Sequence, residues 1–445
     1  MRKLLFGVIV CLCLPVQTFA QESVGFSEPD NIQPLLDYRL PEWGYTNFYL
    51  DFSTDGSFTN RESDAPNDDV LISLSPQYLR YKESESRISN ASAGLLLNYD
   101  SFETNESEIT EEHQRGIDIR LPFNLSEKLY KDNSDIFFTG SLFGILDFER
   151  DYERFIEDGI WKRENIHRDR GFLGFLSIGL GYGRLRNVNP LIRSLRLSER
   201  YQTLQTSQQF NNGDIVNASE LFTQQYRYSQ AYDRPMKYFW QDMNNVISPD
   251  LNQLNPYDLF YLTDVASENI GQRLEGWEIG VELDLRYNVS HHYRRNKLLS
   301  TEESNISSSE LELQPNMYIR WYKNFTLRHQ LGFESAYRYY YDLKNSDFNE
   351  HSLTSELSWL YTITDRFITN TIFLYRYNKN DYVPSSYYHL GRLGVNLNYF
   401  IENKLSFFVN ARYSTQKIVE TNESLLSRNF NFSAGLRYYF KRELF

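Results

Sequence analysis

The last strand-like stretch of the chain, residues 426–440, separates its side chains into two rows of opposite character. From residue 430 onward one row is apolar or aromatic and consists of Phe430, Phe432, Ala434, Leu436, Tyr438 and Phe440. The other row consists of Asn431, Ser433, Gly435, Arg437 and Tyr439. Because successive side chains of a β-strand point to opposite faces, this pattern predicts a strand with one apolar face and one mostly polar face.

Similar stretches recur along the chain and predict about 14 strands. Six precede a long gap, at about 43–53, 69–80, 89–100, 114–124, 135–149 and 170–184. Eight follow it, at about 274–289, 308–322, 325–341, 351–363, 366–377, 386–400, 404–415 and 427–440. Each is about ten residues or longer, which is enough for a tilted strand to cross a bilayer.

The alternation is cleanest in the second half, where charged residues of both signs share one predicted face. The apolar row of one strand is Trp277, Ile279, Val281, Leu283 and Leu285. Charges on a single face are tolerable where that face meets water, so we expect them to line the lumen of a barrel. The predicted lumen charges are Glu278, Glu282, Asp284, Arg286, Glu310, Glu312, Arg320, Arg328, Glu334 and Arg338. They could set the selectivity of a pore or close the lumen by mutual ion pairs.

The N-terminus has the features of a secretory signal peptide over residues 1–20. Arg2 and Lys3 precede an apolar run that is too short to span a bilayer, and residues 18–20 form a small-x-small cleavage site. Residues 21–42 then predict an irregular periplasmic lead-in. Cys11 and Cys13 lie inside the signal peptide, so the mature chain is predicted to hold no disulfide and no thiolate metal site.

Composition narrows the class of protein further. The formal net charge of −13 argues against nucleic acid as a partner. Aromatic residues make up 16% of the chain, which favours a membrane barrel over a soluble enzyme. After the signal peptide no apolar run approaches the roughly 18 residues of a membrane-spanning helix.

The closing strand also carries a short motif. Its polar-x-Gly-x-x-aromatic-x-aromatic pattern, formed by Ser433, Gly435, Tyr438 and Phe440, resembles the C-terminal assembly signal of Gram-negative outer-membrane β-barrel proteins. The resemblance implies an all-β fold, a transmembrane antiparallel up-and-down β-barrel in the cell outer membrane. It also implies recognition by the barrel-assembly machinery and contact with outer-membrane lipid and lipopolysaccharide.

The connections between the predicted strands alternate between long and short. The longer ones, such as 54–68, 101–113, 150–169 and 290–307, are predicted to be outer loops, and most of the others are tight turns. Residues 187–273 form the exception, because they are long and fall on the periplasmic side. They separate a first part of the barrel, 43–186, from a second part, 274–445.

Apolar residues in this insert recur with helical spacing. Proline follows a capping position at Pro190, Pro235, Pro249 and Pro256, which predicts about four short helices. Residues 181–200 resemble a run found in uncharacterised outer-membrane barrels that carry such an insert. Residues Arg193, Arg196 and Arg200 are spaced to share one helix face. Three interpretations of that face stay open: a solvated surface, a partner-binding surface, and a plug in which the arginines lie opposite lumen acids such as Glu278 and Glu312.

The sequence predicts no catalytic, cofactor-binding or metal-binding residues. Seven histidines are present, but no spacing among them announces a nucleophile with a base and an orienting group. Three functions therefore stay open. The first is a porin-like channel or substrate-specific conduit. The second is an assembly or export scaffold that docks a periplasmic partner through 187–273, and the third is an outer-membrane enzyme.

Overall fold

The computed structural model describes residue 39 and residues 42–61, 64–107, 110–132, 134–157, 160–204, 210–297, 301–344, 349–364, 367–380, 386–402, 405–420 and 423–438. The predicted signal peptide, nearly all of the lead-in and Phe440 lie outside the described residues.

In the described part of the chain, fifteen strands form one antiparallel sheet. They are β1 (Trp43–Arg61), β2 (Asp64–Glu83), β3 (Arg87–Gly94), β4 (Leu96–Ser107), β5 (Thr110–Tyr130), β6 (Ile136–Glu157), β7 (Ile160–Asn187), β8 (Leu274–Lys297), β9 (Thr301–Asn324), β10 (His329–Asp342), β11 (Glu350–Thr364), β12 (Phe367–Asn380), β13 (Tyr387–Glu402), β14 (Leu405–Glu420) and β15 (Glu423–Tyr438).

The order of the strands is that of an up-and-down meander. Only Leu95 separates β3 from β4, and both pair with β2 and β5, so they act as two halves of one strand. Counted this way the sheet has 14 crossings, and the predicted all-β, antiparallel up-and-down architecture is confirmed. Among the described residues no ladder joins β1 to β15, and these two strands form the edges of the sheet.

The strands are longer than the sequence predicted. β7 has 28 residues, and β8 and β9 have 24 each, whereas about ten suffice to cross a bilayer. The prediction that 54–68, 101–113, 150–169 and 290–307 are loops is therefore wrong, because most of their residues continue the strand pairing of the sheet. Polar side chains stabilise these extensions by pairing across strands, as Arg295 does with Glu164 at 3.4 Å.

The burial of side chains along the sheet is the inverse of that in a soluble β-protein. In β7 Ile178 is 60% exposed, and in β8 Leu283 is 41% exposed, while Glu278 of β8 is only 1% exposed. Large apolar side chains lie exposed on the same outer face around the sheet, including Phe48, Leu50, Phe52, Leu129, Phe138, Leu180, Val281, Ile319, Leu357, Phe373, Leu393, Phe430 and Phe432. A band of this extent needs an apolar environment.

A helical insert lies between β7 and β8. It contains α1 (Asn189–Thr203), α2 (Asn212–Thr223), α3 (Gln225–Ala231), α4 (Pro235–Val246), a 3₁₀ turn (Leu251–Gln253) and α5 (Pro256–Ala266). Three of the four predicted proline starts are helix starts. Pro249 is not, because it lies in a bend before the 3₁₀ turn. The capping box of Asn211 and Asp214, which starts α2, was not predicted.

The insert has its own apolar core. Its buried residues include Leu191, Ile192, Leu197, Ala218, Phe222, Phe239, Met243, Leu262 and Ile270. Leu327, from the turn between β9 and β10, is buried in the same cluster. The insert is therefore packed against the end of the sheet where β7 ends and β8 begins, which we call the insert end.

Candidate functional site at the insert end

Arg273 fastens the insert to β9–β11. It is fully buried, and its Nε donates to the Ile270 carbonyl at 3.1 Å. Its Nη2 donates to the Arg328 carbonyl at 3.2 Å and to Thr362 Oγ1 at 2.9 Å. Burial lowers the pKa of Arg273. One guanidinium thus joins the last residues of the insert to the β9–β10 turn and to β11.

Further contacts close the base of the insert. Asn189 Nδ2 donates to the Gly271 carbonyl at 3.1 Å, so the first helix is tied to the return segment. Gln330 Oε1 accepts from the Leu274 amide at 2.8 Å, and its Nε2 donates to the Gln272 carbonyl at 3.1 Å. The insert therefore leaves and re-enters the sheet through one hydrogen-bonded junction.

The opposite side of the insert reaches β1 and β2. A cleft of about 630 Å³ lies between them, lined by Glu220, Thr223, Gln224 and Arg227 of the insert and by strand residues such as Tyr45, Tyr81 and Lys82. In strand order β1 and β2 are far from β9–β11, yet the insert packs on the β9–β10 turn and also shares this cleft with β1 and β2. It therefore bridges the concave interior of the curved sheet at the insert end.

An ion cluster lies on the interior face at this end. Glu278 Oε2 accepts from Lys128 Nζ at 2.5 Å, and Glu278 Oε1 accepts from Arg320 at 3.3 Å. Glu334 in turn lies 3.8 Å from Arg320 and accepts from Tyr322 Oη at 2.6 Å. Lys128 belongs to β5 and Glu278 to β8, so the cluster ties strands that are not neighbours.

Glycine residues leave room for aromatic rings beside this ion cluster. A Cβ on Gly280 would lie 2.6 Å from Cζ of Tyr318, and one on Gly181 would meet the Phe137 ring. Both rings therefore lie flat over the neighbouring strand. Phe137 packs on Tyr130 with ring centroids 5.6 Å apart, and Lys128 Nζ lies 4.2 Å from the Phe137 centroid. These rings lie beside Glu278, which is 1% exposed, whereas Arg320 and Glu334 at the edge of the cluster are 45% and 42% exposed. The charge interactions are therefore strengthened most at Glu278.

The remaining predicted lumen charges fall into three groups. Arg286 pairs with Glu312 at 2.9 Å, and Glu282 accepts from Thr139 at 3.2 Å. Glu310 is exposed and accepts from Asn288, Asp284 is half-buried on the interior row, and Arg338 donates to Tyr340. Arg328 lies in the β9–β10 turn and not on a strand.

The arginines predicted to form a basic face point into the insert. Arg196 donates twice to Glu268, at 2.9 and 2.6 Å, and Arg193 donates to the Ala266 carbonyl at 2.8 Å. Burial lowers the pKa of Arg193 and of Arg200, and it raises the pKa of Glu268.

All three interpretations of these arginines need correction. Arg196 and Arg200 are buried, so they form neither a solvated face nor a partner-binding one. The lumen acids proposed as their partners are paired elsewhere, Glu278 with Lys128 and Arg320, and Glu312 with Arg286. The physical reason is that the apolar flanks of α1 are buried on both sides, and the stripe between them is enclosed by α5.

The histidines occupy strands and not the predicted outer loops. His167 Nε2 and His292 Nδ1 each lie 2.9 Å from a different oxygen of Asp169, on the interior face of β7 and β8. In the predicted assembly signal, Ser433 and Gly435 lie on β15, and a Cβ on Gly435 would lie 2.7 Å from the Phe408 ring. Tyr438 is the last residue of β15.

No helix in the described part of the chain is long and apolar enough to cross a membrane. The described residues also bring together no three histidine, cysteine or acidic side chains that could hold a metal ion.

Comparisons with known proteins give fold-level neighbours only. No family model and no curated protein sequence matches the chain. Among solved structures, the ferric yersiniabactin uptake receptor FyuA of Yersinia pestis aligns at 7% identity, TM-score 0.47, over 86% of this chain and 50% of the receptor. The chain thus spans about half the length of that receptor.

Two further solved structures align over most of both chains. The translocator domain of autotransporter NalP from Neisseria meningitidis aligns at 10% identity and TM-score 0.24, over 92% of each chain. The toluene transporter TbuX of Ralstonia pickettii aligns at 8% identity and TM-score 0.25, over 89% of this chain and 88% of the transporter. Similarity at this level transfers no residue role to this chain.

Proposed function

We propose that this chain is an outer-membrane β-barrel protein, a porin-like conduit whose helical insert lies over the periplasmic mouth. The inverted burial of the sheet supports a lipid-facing exterior, and the charged interior suits a water-filled lumen. The observation that carries the proposal is the bridge from β9–β11 to β1–β2, because an insert in that position lies across the path of a solute.

Closure of the barrel is part of this proposal. β1 starts at the insert end and β15 finishes there, so the two edge strands run antiparallel. Pairing between them satisfies their backbone groups, which hydrocarbon cannot do. The closed sheet of 14 crossings lies in size between filled eight-strand barrels and open sixteen-strand porins.

Single-channel conductance tests the conduit directly. Asn187 and Leu274 are paired across β7 and β8, so an Asn-Gly turn can replace residues 188–273 without a change of register. We expect the full chain to conduct poorly and the shortened chain to conduct several-fold better. Heat-modifiable gel mobility serves as the control for folding. Equal conductance of two folded proteins would contradict the conduit with a covered mouth.

A second candidate function is docking of a periplasmic partner. On α5 Tyr257 is 84% exposed and Phe260 is 70% exposed, and their spacing places them on one face of the helix. Large exposed aromatics of this kind favour a protein contact. A photo-crosslinker at Phe260 should give one discrete adduct in cells, whereas one at the exposed Gln253 should give none. Adducts at neither position would remove this candidate.

A further inference from the structure

A repeated arrangement of side chains lies on the exposed face of the sheet, far from the insert end. In its first copy Tyr337 and Tyr339 of β10 flank His351 of β11, with ring centroids 6.1 and 4.7 Å from the imidazole. Tyr337 Oη lies 2.6 Å from His351 Nδ1. The aromatic girdle expected of a membrane barrel explains the tyrosines but not the histidine between them.

The second copy lies two strands further along the sheet. Tyr375 and Tyr377 of β12 flank His389 of β13, with centroids 6.1 and 4.9 Å from the imidazole. Tyr375 Oη lies 2.8 Å from His389 Nδ1. The two copies therefore agree in residue types, in spacing and in which tyrosine bonds to which nitrogen.

A lysine completes each copy. The register pairs His351 with Lys379 on β12 and His389 with Lys417 on β14. Directly paired residues share a face, with Cβ atoms about 5 Å apart. We call each set a rim unit; the first is Tyr337, Tyr339, His351 and Lys379, and the second is Tyr375, Tyr377, His389 and Lys417.

The rim units share the outer face with the apolar band. Tyr375, Tyr377 and Lys379 continue the row of the exposed Phe373, and His389 continues the row of the exposed Leu393. Lysine on a lipid-facing row is unfavourable in hydrocarbon and tolerable near the interface. Each rim unit therefore places a cation at the edge of the apolar band that is farthest from the insert end, where lipid headgroups lie.

The donors of a rim unit suit a phosphate group. When the tyrosine hydroxyl donates to Nδ1, the hydrogen of the neutral imidazole is on Nε2, which is then a donor. The lysine ammonium adds a charge-assisted donor beside it. The two units lie two strand spacings apart, about 10 Å, so one ligand with two phosphates can engage both.

We propose that the two rim units bind the phosphate groups of a phosphorylated outer-leaflet glycolipid, the lipid A part of lipopolysaccharide. The proposal rests on the proposed function for the placement of the far rim in the outer leaflet. It assigns one surface of the barrel, on β10–β14, as a lipid site.

Binding of bisphosphorylated lipid A to the full-length folded protein in detergent tests the proposal. The double variant Lys379→Gln with Lys417→Gln should bind about tenfold more weakly, since two charge-assisted contacts are lost. The hydroxyl variant Tyr337→Phe with Tyr375→Phe keeps the aromatic girdle and should also bind more weakly. Lys323→Gln is the matched control, because Lys323 is an outer-face lysine at the insert end, 5.8 Å from the Phe325 ring.

The probes distinguish the sources of phosphate. Dephosphorylated lipid A and millimolar inorganic phosphate should not compete, and phosphatidylglycerol should compete weakly. Equal binding by wild type and both double variants would overturn the proposal, as would full competition by inorganic phosphate or phosphatidylglycerol. Heat-modifiable mobility and recovery in the outer-membrane fraction test the proposed function separately, so a folded, membrane-inserted protein that ignores lipid A refutes only the lipid site.

Discussion

Residues on the interior face show which contacts the sequence pattern predicts and which it does not. Alternation in β8 and β9 predicted that Glu278 and Arg320 share the interior face, and the structure pairs them. Lys128 was missed, because it lies on β5 and reaches Glu278 only across two intervening strands. The glycines of β7 make that reach sterically available, and no local spacing in the sequence records it.

Gly181→Ala tests this role of glycine. The new Cβ would lie 2.5 Å from the Ile279 carbonyl oxygen and against the Phe137 ring, so the neighbouring strands must shift. We expect the temperature at which the folded band disappears from the gel to fall by several degrees, because overpacking costs about 1–3 kcal/mol. Gly140→Ala is the control, because its nearest atom would be 4.0 Å away. Equal stability of both variants would contradict the account.

Arg196 and Glu268 give a prediction that depends on pH. Arg196→Ala leaves Glu268 buried without its partner, and breaking such a pair costs about 3–5 kcal/mol. Burial raises the pKa of Glu268 in the folded chain above the value of about 4.3 in the unfolded chain. The variant insert should therefore be more stable at pH 5 than at pH 8, because protonation removes the buried charge.

Hydrogen exchange of the α1 amides measures this effect. In the variant, protection should fall at both pH values, after correction for intrinsic exchange, and fall further at pH 8. A loss of protection that is the same at pH 5 and pH 8 would mean that Glu268 takes up no proton in the folded variant over this range, and it would contradict the prediction.

At the scale of elements, periodicity and proline positions predicted more than connection lengths did. Every predicted strand is present, because the apolar row continues through it. The ends were wrong wherever polar hairpin extensions keep the ladder without an apolar row, as in β6 and β7 beyond residue 150. Helix starts at Pro190, Pro235 and Pro256 were predictable from local chemistry. The burial of Arg196 and Arg200 was not, because it depends on α5, more than 50 residues away.

The junction of the insert depends on Arg273. Arg273→Met retains the volume but removes the donor to the Ile270 carbonyl and to Thr362 Oγ1, at about 1–3 kcal/mol for each buried group that is left unpaired. The Arg328 carbonyl also loses the guanidinium but keeps the Thr362 amide at 3.0 Å. We expect faster hydrogen exchange in α1 and a rise in channel conductance, while the sheet stays folded. Thr362→Val removes one acceptor and should give a smaller change. An unchanged insert in Arg273→Met would show that the core alone holds it.

At the scale of the whole molecule, the faces of the sheet follow from the sequence, whereas the contacts across its interior do not. The period of two decides which residues share a face, so the exposed apolar band was predictable from rows such as Ile279, Val281 and Leu283. The position of the insert over the concave side depends on curvature that no single strand encodes. The bridge from Leu327 to the cleft at β1 and β2 is visible only in the folded chain.

Orientation is a separate prediction. The mature chain is expected to hold no cysteine, so single cysteines report topology cleanly. A cysteine at Asn105, near the end of β4, should react with an impermeant reagent in intact cells, whereas one at Gly213 in α2 should react only after the outer membrane is opened. Labelling of Gly213→Cys in intact cells would place the insert outside.

The central claim is that the apolar face of the sheet contacts lipid while the charged face contacts water. Spin labels placed singly along β8, at residues 279, 281 and 283 on the outer face and at 282, 284 and 286 on the inner face, test it most directly in the protein reconstituted into bilayers. Oxygen, which concentrates in hydrocarbon, should relax the outer labels more strongly, and a water-soluble nickel complex should relax the inner ones. The account predicts these two profiles to be out of phase with a period of two residues. Outer labels that the nickel complex relaxes as strongly as the inner labels would place that face in water and contradict the claim.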